Sequence, residues 1–520
     1  MGESQRAQDA VRTLLRAGIQ VSPDALSYLA VQPDPIQLAS KTLEELNKRS
    51  EKPLVITRSI LEGIPQLGHA RLIRIIGSKD LEILSADKLV VEAAPSIEIL
   101  SPLYETSSSE GKLEDFIAYF RDRYQKLMKL FRARKDTQEA VTVSMALKQD
   151  HGNGAEKQTP ESNTKVIGLA TSKKVTNKGS IIVQLEDPTG IISGVISSKS
   201  EKLVAKGSRI LLDQVFCMEG VLRADKSISV RDITWADVPY DYKPSKAKDP
   251  VYAVLVSDIH YGSTKFLRGE FEAFILWLRG EGATDESARI AKGVRYLVIA
   301  GDLVDGLGVY PNQEDELEVK DIYEQYSKLS EYLRKIPSTI EIIAIPGNHD
   351  ATRLSLPQPP ISEKYIEPIT KTCSTFHMLG NPAFVKIHNV GTLIYHGKII
   401  DNILSTLPEI SSKTVTQALH ELMRCRHLAP TWDPDNPMTP ANEDLLVMER
   451  IPDIFHTGHI HINAVSQYRG VLAVNSGTFQ SQTSYQKSMG VKPTPGRVDV
   501  VNLMTLKPSQ IQFAGEASNG

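Results

Sequence analysis

Five short polar clusters in the C-terminal half of the chain hold residue types that bind divalent cations. They are Asp258-Ile259-His260, Gly301-Asp302-Leu303-Val304-Asp305-Gly306, Gly347-Asn348-His349-Asp350, His396-Gly397 and Gly458-His459-Ile460-His461. Carboxylate, imidazole and amide oxygen without thiolate favour a borderline ion such as Mn²⁺, Fe²⁺ or Zn²⁺ over Ca²⁺ or Mg²⁺. Asp-x-His and His-x-His each offer two donors from one extended loop. The donors Asp258, His260, Asp302, Asn348, His396, His459 and His461 are too many for one tetrahedral site and suit two sites that share a bridge. Asp302 is the natural bridge, because a carboxylate has two oxygens. Two ions about 3.5–4 Å apart supply a nucleophile near neutral pH and neutralise charge on a phosphoryl group. Taken singly the clusters have plainer readings: Gly-Asp-x-x-Asp is most often a turn, and a lone strand-end histidine is usually just hydrogen-bonded in place. All five in order, each after an apolar run, point together to a dinuclear phosphoesterase centre. Histidine distribution agrees, since only His69 and His151 of the twelve histidines precede residue 250.

Strands must position these clusters. VYAVLVS, VRYLVIA, IEIIAI, GTLIYH and PDIFH run directly into them, and VLAVNS is a further strand. Ligands of open α/β sheets bind beyond the carboxyl ends of strands, where all five clusters fall. Residues 250–505 therefore read as a layered α/β domain, with 506–520 as a C-terminal tail. The proline- and acid-rich stretch PTWDPDNPMTPANED reads as a loop that covers a site or merely connects.

Upstream, residues 1–60 read as a small helical domain, with Ser22-Pro23-Asp24 as a helix start. Residues 61–147 form a mixed segment whose first part, 61–105, carries short apolar runs of unassigned structure. It ends in the helix LEDFIAYFRDRYQKLMKLFRARK, with Leu113, Phe116, Ile117, Phe120, Tyr124, Leu127 and Phe131 on one face. The opposite face carries Arg121, Arg123, Lys126, Lys129, Arg132, Arg134 and Lys135. A solvated face is the first reading of that charge, and a nucleic-acid or partner contact the second. Residues 148–163 read as a polar linker. Five strand-like runs across 164–245 predict a small β-barrel of OB-fold type, an architecture that often binds nucleic acid but also serves as scaffold.

Composition narrows the class. At 520 residues, several domains are expected. Apolar content of 41% and charged content of 24% are globular averages, which excludes disordered and collagenous classes. No apolar run is long enough to span a membrane, and no secretory signal opens the chain. Cys217, Cys373 and Cys425 are odd in number and widely spaced, as expected of a reducing cytoplasm. A net charge of −3 excludes a basic nucleic-acid coat.

The ordered set DIH, GDLVDG, GNHD, H and GHIH resembles the calcineurin-like metallophosphoesterases over residues 250 to about 500. That resemblance implies a C-terminal domain of two layered sheets within a multidomain α/β chain. It implies Asp258, His260, Asp302 and His461 on one ion, and Asp302, Asn348, His396 and His459 on the second. His349 matches a histidine that protonates the leaving oxygen, with Asp350 orienting it; histidine suits such work because its proton moves near neutral pH. His456 has no assigned role beyond strand packing or support of the ligands. Protein phosphatases of the superfamily carry an arginine and a glutamate where this chain has Gly306 and Asp350, which disfavours that branch. Longer stretches, among them GDLVDGLGVYPNQEDELEVKDIYEQY, PGNHDATRLSLPQPPI and VNSGTFQSQTSYQKSMGVKPTPGRV, resemble the small subunit family of archaeal family D DNA polymerases. The implied protein is a proofreading 3′–5′ exonuclease subunit with two divalent ions, Mn²⁺ foremost and Fe²⁺ or Zn²⁺ as alternatives. Its implied partners are a large catalytic subunit and DNA with a 3′ end, with no membrane, in the cytoplasm at the nucleoid. Two alternatives stay open: a non-catalytic assembly subunit, as in eukaryotic B-subunits that lost their ligands, and a stand-alone phosphodiesterase. A double-strand-break repair nuclease with the same motifs places its catalytic domain first, unlike this chain.

Overall fold

The computed structural model of the chain describes residues 3–30, 35–47, 55–57, 61, 71–76, 94–101, 109–148, 163–281, 285–407, 409–411 and 414–514. The expected linker at 148–163 and most of 61–105 lie outside them. The described residues of 1–71 belong to one compact unit, together with Ala514. Its helices are α1 (Glu3–Arg16), α2 (Pro23–Ala30) and α3 (Pro35–Asn47), and β1 (Gln20–Val21) pairs in parallel with β2 (Val55–Ile56). Pro23 and Pro35 stand at first helical positions, where the missing N–H would have no partner anyway. Ala10, Leu14, Leu29, Ala39, Leu46 and Ile56 are the core of this unit.

The remainder is a barrel and a two-sheet domain. β3 (Arg71–Ile76) and β4 (Ile97–Ile99) come first, followed by the long helix α4 (Leu113–Arg132). The barrel strands are β5 (Asn163–Val175), β6 (Ile181–Asp187), β7 (Gly190–Ile196), β8 (Val215–Leu222) and β9 (Ile228–Trp235). They close in the order β5-β6-β7-β9-β8. Alternate residues such as Ile181, Val183 and Leu185, or Phe216 and Met218, fill the interior, as the period-2 geometry of a strand requires. The expected five-stranded barrel is therefore present.

The C-terminal domain has β10 (Tyr252–Val256), β11 (Val294–Ala300), β12 (Glu341–Ile345), β13 (Phe376–Met378), β14 (Ala383–Ile387), β15 (Val390–Tyr395), β16 (Ile454–Thr457), β17 (Ala464–Tyr468), β18 (Val471–Asn475), β19 (Arg497–Asn502) and β20 (Lys507–Ala514). One sheet runs β13-β12-β11-β10-β19-β20-β3 and the other β17-β18-β16-β15-β14-β4. Their inner faces share a core in which Leu255, Val298 and Ile343 of the first meet Val385, Ile394, Ile454 and Val474 of the second. The two layered sheets match the expected α/β architecture.

Three expectations change. The first is the tail at 506–520, because Lys507–Ala514 is a strand paired antiparallel with β19. The alternation Ile511, Phe513 buries one face there, and both side chains are almost fully enclosed. The second is the mixed segment at 61–147, in which β4 pairs with β14 as an edge of the second sheet.

The third concerns the basic face of α4. Its buried row is Tyr119, Arg123, Leu127 and Phe131, spaced four apart, whereas Leu113 and Ile117 of the expected apolar face are 70% and 48% exposed. Arg123 is fully buried. Its Nε donates to Asp444 Oδ2 at 2.7 Å, and its Nη1 donates to the carbonyls of Pro430 at 2.8 Å and Asp213 at 3.1 Å. Tyr119 Oη and His427 Nε2 complete the Asp444 carboxylate at 2.9 and 2.8 Å. Burial pushes the Asp444 carboxyl upward, but His427 and Arg123 outweigh it and hold the group far below its usual range. Asp213 immediately precedes the last two barrel strands, and Pro430 and Asp444 belong to the two-sheet domain, so α4 is a seam. Arg121, Lys129, Arg132 and Lys135 remain exposed, as a solvated face demands. Cys217, Cys373 and Cys425 are free and buried. No described helix is long and apolar enough to cross a membrane.

Removing one member of a buried ion pair strands the other charge and costs about 3–5 kcal/mol. Arg123→Ala is expected to lower stability by about that amount in urea unfolding, against a change within about 0.5 kcal/mol for the exposed Arg121→Ala. Equal effects of the two substitutions would refute the seam.

Candidate metal centre

Three parallel strands of one sheet and two of the other deliver the site. β10, β11 and β12 run in parallel, as do β15 and β16. The loop after β10 holds Asp258 and His260, the loop after β11 holds Asp302 and Asp305, and the loop after β12 holds Asn348, His349 and Asp350. His396 follows β15, and His459 and His461 follow β16. The chain turns sharply there: Asp258, His260, Asp302, His459 and His461 all have φ between 51° and 73°. L-residues avoid that left-handed region, and its occupancy clusters at functional sites. Two glycines make room for the carboxylates. A Cβ on Gly347 would lie 2.1 Å from Asp302 Oδ1, and one on Gly458 would lie 2.6 Å from Asp258 Oδ2.

Ligand atoms converge in three overlapping sets: Asp258, His260 and His461; His260, Asp302 and His349; and Asp258, Asp302 and His396. Within each set they lie within 4.8 Å of one another. His260 Nε2 is 3.1 Å from His461 Nε2, and His461 Nε2 is 3.4 Å from Asp258 Oδ1. Asp302 Oδ2 stands 3.6 Å from His260 Nε2 and 3.4 Å from His396 Nε2, between the two ends of the cluster. Asn348 Oδ1 lies 2.8 Å from His396 Nε2.

The donor set fits divalent cations on two grounds. Asp258 Oδ1 is buried and accepts no hydrogen bond, a costly state for a carboxylate oxygen that faces no cation. Burial also pushes the Asp258 and Asp302 carboxyls upward, yet the neighbouring imidazoles outweigh it and hold both below the ordinary value. His396 shows the reciprocal effect. Burial lowers it, but Asp302 and Asp258 raise it to about 9. Two enclosed carboxylates thus demand positive charge, which a proton on imidazole or a metal ion can supply.

A second layer of contacts aims the rings. His260 Nδ1 is 3.0 Å from Asp305 Oδ1, a carboxylate also held by Gln480 at 3.0 Å. His396 Nδ1 donates to the Ala300 carbonyl at 2.9 Å, and His349 Nδ1 to the Asp305 carbonyl at 2.7 Å. Each bond leaves Nε2 as the inward nitrogen, the arrangement by which outer partners orient metal-binding histidines. Gln486 touches His461 Nδ1 at 2.8 Å.

Two predicted residues sit differently from expectation. Asp350 does not touch the His349 ring. Its carboxylate accepts from the backbone N–H of Gly347 at 2.8 Å and Leu303 at 3.2 Å and from Tyr326 Oη at 2.9 Å, tying two ligand loops together. Burial and the Asp302 charge raise it to about 6. His459 lies outside the three sets, with Nε2 2.7 Å from Asp401 Oδ2 and its ring 5.2 Å from that of His396. His456 packs inside β16, with Nε2 on Ser476 Oγ at 2.8 Å and burial lowering it to about 3. Sequence reasoning left Asp305, Asp401 and Gln486 without roles. Asp305 stood within a motif but read as a turn residue, and Gln486 closes a Thr-x-x-Gln capping box that a helix-start search would find. Asp401 carried no local signal.

Residues 253–463 match the B-subunit family of DNA polymerases alpha and epsilon. The chain is 33% identical to the DNA polymerase II small subunit of Methanothermobacter thermautotrophicus, over 95% of this chain and 97% of that one. It is 38% identical to the protein of the same description from Archaeoglobus fulgidus, over 78% of each. A solved structure of an archaeal phosphodiesterase aligns with 50% of this chain and 99% of its own, at 12% identity and a TM-score of 0.24.

Loss of an outer partner typically weakens metal binding about 10- to 100-fold. Asp305→Ala is expected to weaken Mn²⁺ binding by that factor in titration calorimetry while the circular dichroism spectrum stays native. Unchanged affinity would mean that packing alone aims His260.

Proposed function

The chain belongs to the DNA polymerase II small subunit family, known here from archaeal relatives, and on that premise we propose that it is a metal-dependent 3′–5′ exonuclease that proofreads for a large polymerase subunit. The convergence of Asp258, His260, Asp302, His396 and His461 from two sheets carries this reading. No member of the predicted ligand set is replaced by an inert side chain, which a purely structural subunit would tolerate. Two divalent ions, Mn²⁺ foremost, would be held by Asp258, His260, Asp302 and His461 and by Asp302, Asn348, His396 and His459. When bound, such ions activate water and offset charge on a phosphodiester.

The protein's own groups have separable tasks. Asp302 lies between His260 and His396 and couples the two ends of the cluster. Asp350 fixes the loops after β11 and β12 relative to each other. His349 is the group for the leaving 3′ oxygen. Its Nδ1 is committed to the Asp305 carbonyl, so the proton is delivered from Nε2. Its ring stands perpendicular to that of His260 at 4.6 Å between centroids, which brings that nitrogen beside the ligands rather than into the core.

The test is nucleotide removal from a 3′-mismatched primer–template by the chain with its large subunit, in Mn²⁺ and in chelator. Mn²⁺-dependent loss of 3′ nucleotides is expected; none in the complex would end the exonuclease reading. His349→Ala should retain Mn²⁺ binding and lose about two to four orders of magnitude in turnover, the usual worth of a general acid. Loss of metal in that variant would make His349 a ligand instead. Asp302→Ala should abolish both binding events in titration calorimetry, and two surviving events would refute its shared position.

A further inference from the structure

The loop after β18 carries a short helix, α5 (Ser484–Ser488), that packing does not explain. None of its residues is buried. Its Thr483–Gln486 capping box is complete, with Thr483 Oγ1 accepting from the Gln486 N–H at 3.2 Å and Gln486 Oε1 from the Thr483 N–H at 3.1 Å. The same Gln486 touches His461 of the metal cluster at 2.8 Å. The helix is thus built and tied to the centre, yet it turns Tyr485 outward at 71% exposure, with Met489 beside it in sequence at 63%.

Three exposed apolar side chains of this domain stand on loops that reach the cluster. From residue 250 onward the large ones among the described residues are Leu307, Tyr323, Leu354, Tyr485 and Met489. Leu307 stands two residues after Asp305, Leu354 four after Asp350, and Tyr485 directly before Gln486. The first two loops deliver Asp302 and Asn348 to the site, and the third brings Gln486 onto His461. Isolated exposed apolar residues need no explanation, but their concentration on the loops of one site marks a contact surface.

Charge selects the partner. No Asp or Glu occurs between Asp453 and Asp499, in a chain with 63 acids, while Arg469, Lys487, Lys492 and Arg497 fall within that stretch. Lys487 lies between Tyr485 and Met489 in the chain and Lys492 three residues beyond, and both are exposed. Exposed apolar side chains with lysines beside them in the chain are what a single strand meets on proteins that stack its bases and track its phosphates. Resting on the exonuclease reading above, we propose that Tyr485 and Met489 form a platform on which the 3′-terminal base of single-stranded DNA stacks, with Lys487 and Lys492 on its phosphates. Through Gln486 the platform lies one residue from the outer contact of His461. It would therefore hold the end of the strand beside the cluster rather than at a distance.

Full-length chain is titrated in chelator into a single strand carrying 2-aminopurine at its 3′ end. Wild type and Tyr485→Phe should quench the fluorophore. Tyr485→Ala should abolish quenching and weaken binding about 5- to 150-fold, the worth of one stacked base. Native binding and quenching in Tyr485→Ala would overturn the platform. Mn²⁺-supported hydrolysis of bis(p-nitrophenyl) phosphate separates the two readings. It should be unchanged in Tyr485→Ala, since that substrate is too small to reach the platform. Its loss there would mean that the ring merely supports Gln486 and His461, and would also overturn the platform. No hydrolysis by wild type would count against the phosphodiesterase reading alone, because quenching still decides where the strand end binds.

Discussion

Two carboxylates that cannot reach water govern the architecture of this protein. Asp258 and Asp302 are almost fully enclosed, and a buried carboxylate is tolerated only when positive charge or several donors face it. Around them the chain has assembled imidazoles, backbone N–H groups and glycines that let oxygens approach within van der Waals distance of the backbone. His349 N–H donates to Asp302 Oδ1 at 2.8 Å and His459 N–H to Asp258 Oδ2 at 2.9 Å. Five ligand positions accept left-handed backbone so that alternate residues of a loop can face one point. That strain persists because the strands behind the loops are rigid and deeply buried, with Val254, Val298 and Ile343 fully enclosed.

Rigid strands from one sheet would not suffice. Asp258, Asp302 and Asn348 hang from one layer and His396 and His461 from the other, so the centre exists only while the sheets keep their register across the shared core. Asp350 and Tyr326 brace the first layer. On the second, Asp258 itself reaches across to the Gly458–His459 turn. The barrel is tied to this body by the Arg123–Asp444 seam, in which the guanidinium also donates to the carbonyls of Asp213 and Pro430. A buried ion pair adds little net stability against an apolar alternative, but it is exacting about geometry. It fixes where α4 lies between barrel and sheets.

The enclosed and the exposed groups of the site are divided between depths. The cluster is enclosed and acid-rich, whereas the loops around it expose Leu307, Leu354 and Tyr485. Gln486 joins the two depths, because one side chain both closes the cap of the rim helix and touches His461.

Much of this was legible in the linear chain. Apolar runs of five to seven residues ending in Asp-x-His, Gly-Asp, Gly-Asn-His-Asp and Gly-His-x-His announce strands that feed a candidate metal site, because strand period and ligand chemistry are both local properties. The alternating pattern of the barrel and the proline-led helices of the first unit are local in the same sense. Contacts that join distant residues were not legible. Nothing near Arg123 distinguishes it from Arg121, and only the position of Asp444, more than three hundred residues on, makes one a buried anchor and the other a solvated charge. Residues 507–514 looked like a tail because their burial depends on β19 as neighbour. Resemblance assigns Asp350 to orienting His349, whereas the fold turns its carboxylate toward Gly347, Leu303 and Tyr326. Residue types and spacing set which groups could bind metal; only packing in three dimensions decided which oxygens lost water, and with them which groups face one another.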